Sequence, residues 1–137
     1  MVGVDGSEAA RDALRWALAE ARSRGALLQV VHAWSVPFFG PRPEPEVAGD
    51  MDDLEAGERT ALERSVAGID LGGLAVPAEL VLVNRPPVTV LIESAEGADL
   101  LVVGTRGRGG FAGLLLGSVS QQLTQHAPCP VVIVPHR

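Results

Sequence analysis

The sequence predicts an α/β domain in which helices cover both faces of a parallel sheet. Three observations predict it. Short apolar runs alternate with helix-length segments along the chain and the last element is a strand, the pattern of repeated strand–helix units. The runs Leu27–Trp34, Leu100–Val103 and Val131–Val134 are nearly continuous in apolar residues, as strands buried on both faces require. A glycine-rich segment follows directly after Leu100–Val103, at the strand end where open parallel sheets bind their ligands.

Met1–Asp5 reads as a short first strand. Ser7 suits a helix N-cap and Glu8 its first turn, and Ala10, Ala13, Leu14, Ala17, Leu18 and Ala21 recur at helical spacing. Glu8–Arg24 is therefore an amphipathic helix, with Trp16 at the edge of its stripe and Gly25 as its stop. Leu27–Trp34 is the second strand. Residues 36–50 hold four of the ten prolines and read as a long, mobile loop inserted in one domain that spans residues 1–137. Met51–Gly68 is a second helix, with Leu54, Ala61, Leu62, Ser65 and Val66 on one side. Ala78–Val83 is a third strand, and Pro87 opens a helix to about Glu96. Leu100–Val103, a short helix over Ser118–His126 and Val131–Val134 complete the series.

Composition restricts the function. Hydrophobic residues make up 47 % of the 137 residues, and aromatics only 4 %, so Val, Leu, Ile and Ala build the core. No apolar run approaches the ~20 residues of a membrane span. Nothing at the start reads as a signal peptide. A single cysteine, Cys129, forms no internal disulfide, so a reducing cytoplasm is the expected compartment. A net charge of −6 argues against a general nucleic-acid binder. Its distribution says more: all 17 acids lie at or before Asp99, and beyond it only Arg106, Arg108 and Arg137 are charged. A small anion is drawn to that end of the chain.

The segment from Gly104 to Ser118 has the chemistry for an anion. Five glycines between Gly104 and Gly113, then Gly117-Ser118, let backbone N–H groups approach a phosphate. Ser118 is placed to cap the following helix, whose N-terminus carries free donors and partial positive charge. Arg106 and Arg108 add full charges. A P-loop needs a lysine, and the chain has none. The dinucleotide fingerprint needs an acid about 20 residues on, and none follows Asp99.

What fits is Gly104-x2-Gly107-x9-Gly117-Ser118. With VGVDGS at residues 2–7, LQVVHAW at 28–34, ADLLVVGTRGRGG at 98–110, GSVS at 117–120 and APCPVV at 127–132, the chain closely resembles the universal stress protein family, in its ATP-binding branch. The resemblance implies a five-stranded parallel sheet of order 3-2-1-4-5, Rossmann-like in architecture. It implies ATP, AMP or another adenine nucleotide as ligand, with Mg²⁺ beside a triphosphate. Asp5 and the backbone at Gly3 and Val4 would lie beside the adenosine, and the Ala33 backbone would read the adenine edge. Gly104, Arg106 and Gly107 would line ribose and inner phosphates, and Gly117, Ser118, Val119 and Ser120 would hold the outer ones; Arg108 joins the candidate site through its charge. Val131–Val134 resembles the edge strand through which family members form homodimers. An exposed apolar edge needs a partner in any case.

Other chemistry-bearing residues read as structural. His32 lies in an apolar strand and suits a buried, hydrogen-bonded role. His126 and Cys129 cannot complete a zinc site, and no acid follows to orient them. The expected function is nucleotide-dependent regulation in a stress response, with little or no turnover. The alternatives are a slow ATPase or autophosphorylating protein, with Ser118 or Ser120 as acceptor, and a nucleotide-free interaction module.

Overall fold

The computed structural model describes residues 1–36, 48–105 and 116–136, with the side chains of residues 48–50 left aside. Nine elements follow one another: β1 (Val2–Gly3), α1 (Glu8–Arg24), β2 (Gln29–Trp34), α2 (Ala48–Val66), β3 (Glu79–Asn84), α3 (Pro87–Ala95), β4 (Leu101–Gly104), α4 (Ser118–His126) and β5 (Val131–Val134). The strands pair in parallel in the order β3-β2-β1-β4-β5, as expected. Helices α1 and α2 pack together on one face, and α3 and α4 on the other. The chain winds outward from β1 to β3, then crosses back to place β4 beside β1. The strand order therefore reverses between β1 and β4, the crevice where such sheets take ligands.

Two apolar clusters hold the layers together. Under α1 and α2 lie Val2, Leu14, Leu18, Val30, Leu62 and Val102; under α3 and α4 lie Val31, Val90, Leu91, Leu101, Val103 and Leu123. Small residues on α1 (Ala9, Ala10, Ala13, Ala17, Ala21) bring that helix close to the sheet. Its termini are as read: the Ser7 hydroxyl accepts from the Ala10 N–H at 3.2 Å, and Gly25 takes the left-handed conformation at φ 62°. Trp16 packs, half-buried, at the edge of the first cluster.

Several boundaries differ from expectation, each for a local reason. Strand β1 is only Val2–Gly3, although the Val4 N–H still donates to the Val31 carbonyl at 2.9 Å. Leu27, expected in β2, precedes it and is 72 % exposed. Helix α2 begins at Ala48, so residues 48–50 belong to it and not to the long loop; residues 37–47 of that loop lie outside the described residues. Leu54, expected on the buried side of α2, is 46 % exposed, because only the C-terminal half of α2 is buried against the domain, through Ala61, Leu62 and Ser65. Among the described residues no helix is long and apolar enough to cross a membrane.

Candidate functional site

Continuing the register Val2↔Val30 and Val2↔Val102 by three residues puts Asp5, Ala33 and Thr105 in one row at the carboxyl end of the three central strands. Gly117 enters the same place from α4. Its N–H donates to the Thr105 carbonyl at 2.6 Å, while the Thr105 N–H donates to the Val134 carbonyl of β5 at 3.2 Å, so the start of α4 meets the chain where it leaves β4. Arg106, Gly107 and Arg108 lie between Thr105 and Gly117 in the sequence, outside the described residues.

The start of α4 departs from expectation. Gly117, with extended backbone at φ −68° and ψ 163°, is the N-cap, and no side chain caps the helix. Ser118 is the first helical residue, and its side chain is exposed. The first helical turn still directs the N–H groups of Ser118, Val119 and Ser120 out of the helix end, because intrahelical bonding begins with the Gln121 N–H on the Gly117 carbonyl at 3.0 Å. The Ser120 hydroxyl faces the other way. It is buried and donates to the Gly104 carbonyl at 2.6 Å, which locks α4 to β4 and spends the proton that a phosphate contact or a phosphoryl acceptor would use.

Two glycines read from the sequence as ligand-facing are small for the sake of packing. A Cβ at Gly104 would stand 2.9 Å from the Ala9 carbonyl oxygen of α1. A Cβ at Gly3 would meet the Leu91 methyls of α3 at 3.1 and 3.2 Å. Both positions let helices approach the sheet, and only their backbones face along the strands.

The β1–α1 turn is held from two sides. Asp5 Oδ1 accepts the Ser7 N–H at 3.0 Å and the Ser7 hydroxyl at 2.5 Å, the turn geometry common ahead of a helix. Gly6, at φ 88°, donates its N–H to the Ser65 hydroxyl of α2 at 2.9 Å, while Ser65 donates to the Ala61 carbonyl at 3.0 Å. One strand over, His32 is fully buried. Its Nδ1 meets the Val4 carbonyl at 2.8 Å and its Nε2 meets Glu58 Oε2 of α2 at 2.6 Å. Helix α2 thus reaches both β2 and the turn that carries Asp5. Sequence reasoning missed Gly6 and Ser65, 59 residues apart, because a single serine on a helix stripe gives no signal of a distant N–H. Ser65→Ala is expected to cost about 1–2 kcal/mol in urea denaturation by orphaning the Gly6 N–H; a loss under about 0.5 kcal/mol would contradict that contact.

Beyond β3, Arg85 forms two bonds to the Glu93 carboxylate, at 2.8 and 2.9 Å, which hold that carboxyl below its usual range. At the far side of the sheet, the hydrogen bond from His136 to Asp12, at 2.6 Å, does the same for Asp12. Both pairs are exposed and serve as surface ties. A hollow of about 740 Å³ opens at the opposite, amino end of the strands, lined among others by Arg24, Leu27, Glu79, Glu96 and Asp99. Its four acids, Glu20 among them, oppose an anion. Among the described residues no group of three or more His, Cys, Asp or Glu side chains is arranged to hold a metal ion.

A five-stranded parallel sheet with a helix start at its switch point defines an open α/β protein of the Rossmann-like class. The sequence profile of the universal stress protein family matches residues 1–135, and the chain belongs to that family. It is 40 % identical over 139 residues to a universal stress protein from Thermus aquaticus, covering 98 % of this chain and 96 % of that one. It is 36 % identical over 138 residues to one from Mycolicibacterium smegmatis, where it covers 98 % of this chain but only 44 % of the relative, so it spans less than half of that protein's length. Among solved structures it is similar to a universal stress protein in complex with cAMP, with a TM-score of 0.63, 32 % identity, and coverage of 98 % of this chain and 93 % of that one.

Proposed function

We propose that the chain binds an adenine nucleotide across the carboxyl ends of β1, β2 and β4 and uses it as a regulatory ligand in a cytoplasmic stress response, with little or no turnover. The observation that supports this reading is the bond from the Gly117 N–H to the Thr105 carbonyl, which brings the open first turn of α4 to the carboxyl end of β4, the strand next to β1. A helix start there suits phosphate through its N–H groups and dipole. The cAMP bound by a 32 % identical relative supports an adenine ligand.

In this reading the Val4 and Asp5 backbone and the Asp5 carboxylate face the nucleoside, with Gly3 contributing main chain only. The Ala33 backbone reads the adenine edge. The N–H groups of Ser118, Val119 and Ser120 and the Ser118 hydroxyl take the outer phosphates, and Gly117 brings the chain close. Gly104, Arg106, Gly107 and Arg108 serve the ribose and inner phosphates. Phosphate oxygens, joined by few protein groups, would hold Mg²⁺ when ATP is the ligand. Strand β5, an apolar sheet edge over Val131–Val134, supports pairing with a second copy. The reading includes no role for nucleic acid.

Calorimetry with Mg-ATP, AMP and cAMP tests the function. One site per chain for at least one of them is expected, with no ADP formed from ATP overnight; no heat from any of the three overturns the binding reading. Gly117→Glu places a carboxylate at the mouth of the α4 turn and is expected to weaken ATP binding by more than about 100-fold, some 2.7 kcal/mol. The thermal midpoint of the variant checks that it is folded. Unchanged affinity would move the site away from α4.

A further inference from the structure

Trp34 closes β2, one residue beyond Ala33 and level with Asn84 of β3. Strand alternation places it on the face of His32, toward α1 and α2. It is 5 % exposed, and its indole Nε1 is buried without a hydrogen-bond partner among the described residues. A buried N–H without an acceptor is uncommon in folded proteins and unfavourable by enough to need a reason. A phenylalanine would fill most of the same space without this penalty. His32, two residues earlier on the same face, satisfies both of its ring nitrogens. The orphan therefore arises at the ligand end of the strand, not along its whole length.

We propose that the Trp34 indole N–H is a ligand donor, completed by an acceptor nitrogen of the nucleotide's base when that base seats beside the end of β2. This rests on the adenine-nucleotide reading above and deepens it by naming a side chain that contacts the base. Adenine presents ring nitrogens as acceptors along its edges, so this N–H adds affinity for the base and is indifferent to phosphate number. The donor is covered in the ligand-free chain, so the contact forms as the base inserts beside the strand end. Before binding, the unsatisfied N–H raises the free energy of the empty site. Binding relieves that penalty, and the relief adds to affinity.

The test compares wild type and Trp34→Phe by calorimetry with ATP and with AMP. It is paired with ¹H–¹⁵N spectra of the two indole N–H groups, Trp16 and Trp34, assigned with Trp16→Phe. The expected result is a roughly tenfold weaker affinity in Trp34→Phe for both nucleotides alike. In the wild type, the Trp34 indole signal moves downfield and exchanges more slowly with saturating nucleotide, while that of Trp16 stays in place. The spectra decide the matter even if the substitution impairs folding. If the wild type binds and the Trp34 signal does not move, or Trp34→Phe binds as tightly, the assignment is wrong. A loss confined to ATP would place the contact at the phosphates and also overturn it. Failure of the wild type to bind either nucleotide removes this contact, and failure with cAMP as well removes the nucleotide reading.

Discussion

Gly104→Val is expected to lower the unfolding free energy by about 3 kcal/mol, among the largest single-site losses in this chain. The first added atom alone would stand 2.9 Å from the Ala9 carbonyl oxygen and 3.0 Å from its carbon. Both are backbone atoms within α1, so no rotamer change relieves the contact. Helix α1 would have to lift from β4, and its buried Ala10, Ala13 and Leu14 would lose contact with the sheet. The Gly104 carbonyl also accepts the Ser120 hydroxyl, so a shift of the strand end would disturb the start of α4 as well. Gly104→Ala should show the same effect at roughly half the size. Chemical denaturation measures both. If Gly104 were small only to admit a phosphate, both variants would keep wild-type stability and lose nucleotide affinity alone, and that outcome would refute the packing account.

The same residue marks what a sequence carries and what it does not. Order and type of the elements follow from local pattern. The four-residue runs at Leu101–Gly104 and Val131–Val134 are too short for helices and too apolar for loops, and the Ser118–His126 helix is bounded by glycines before and a proline after. The purpose of a glycine is not local. Gly104 in a glycine-rich context reads as phosphate chemistry, yet its missing side chain faces a helix that begins 96 residues earlier. Ser118 reads as a cap because capping serines are common, but Gly117 already has the extended backbone an N-cap needs. Leu54 fits a helical stripe, and only the tertiary packing of α2 decides which turns of that stripe are covered. His32 reads correctly as a buried, bonded histidine, while Glu58, 26 residues away, carries no sign of being its partner.

That pair bears the second large effect. A carbonyl can only accept, so the contact to the Val4 oxygen puts a proton on His32 Nδ1. The 2.6 Å contact from Nε2 to Glu58 Oε2 then ties the same ring to α2. His32→Leu, close in volume, removes the donor to Val4 and the link to α2 at a fully buried position. The expected loss is about 3 kcal/mol in urea denaturation. Glu58→Gln should be far milder, within about 1 kcal/mol, because an amide N–H can donate to Nε2 while Nδ1 keeps its bond to Val4. Equal losses from the two substitutions would mean that charge, and not the pattern of donors, fastens α2 here. The distinction bears on function, since Val4 precedes Asp5. A helix fastened through His32 at Val4 and through Ser65 at Gly6 fixes the turn beside the switch point from behind. His32→Leu should therefore weaken nucleotide binding in the fraction that remains folded, whereas Glu58→Gln should leave it near wild type.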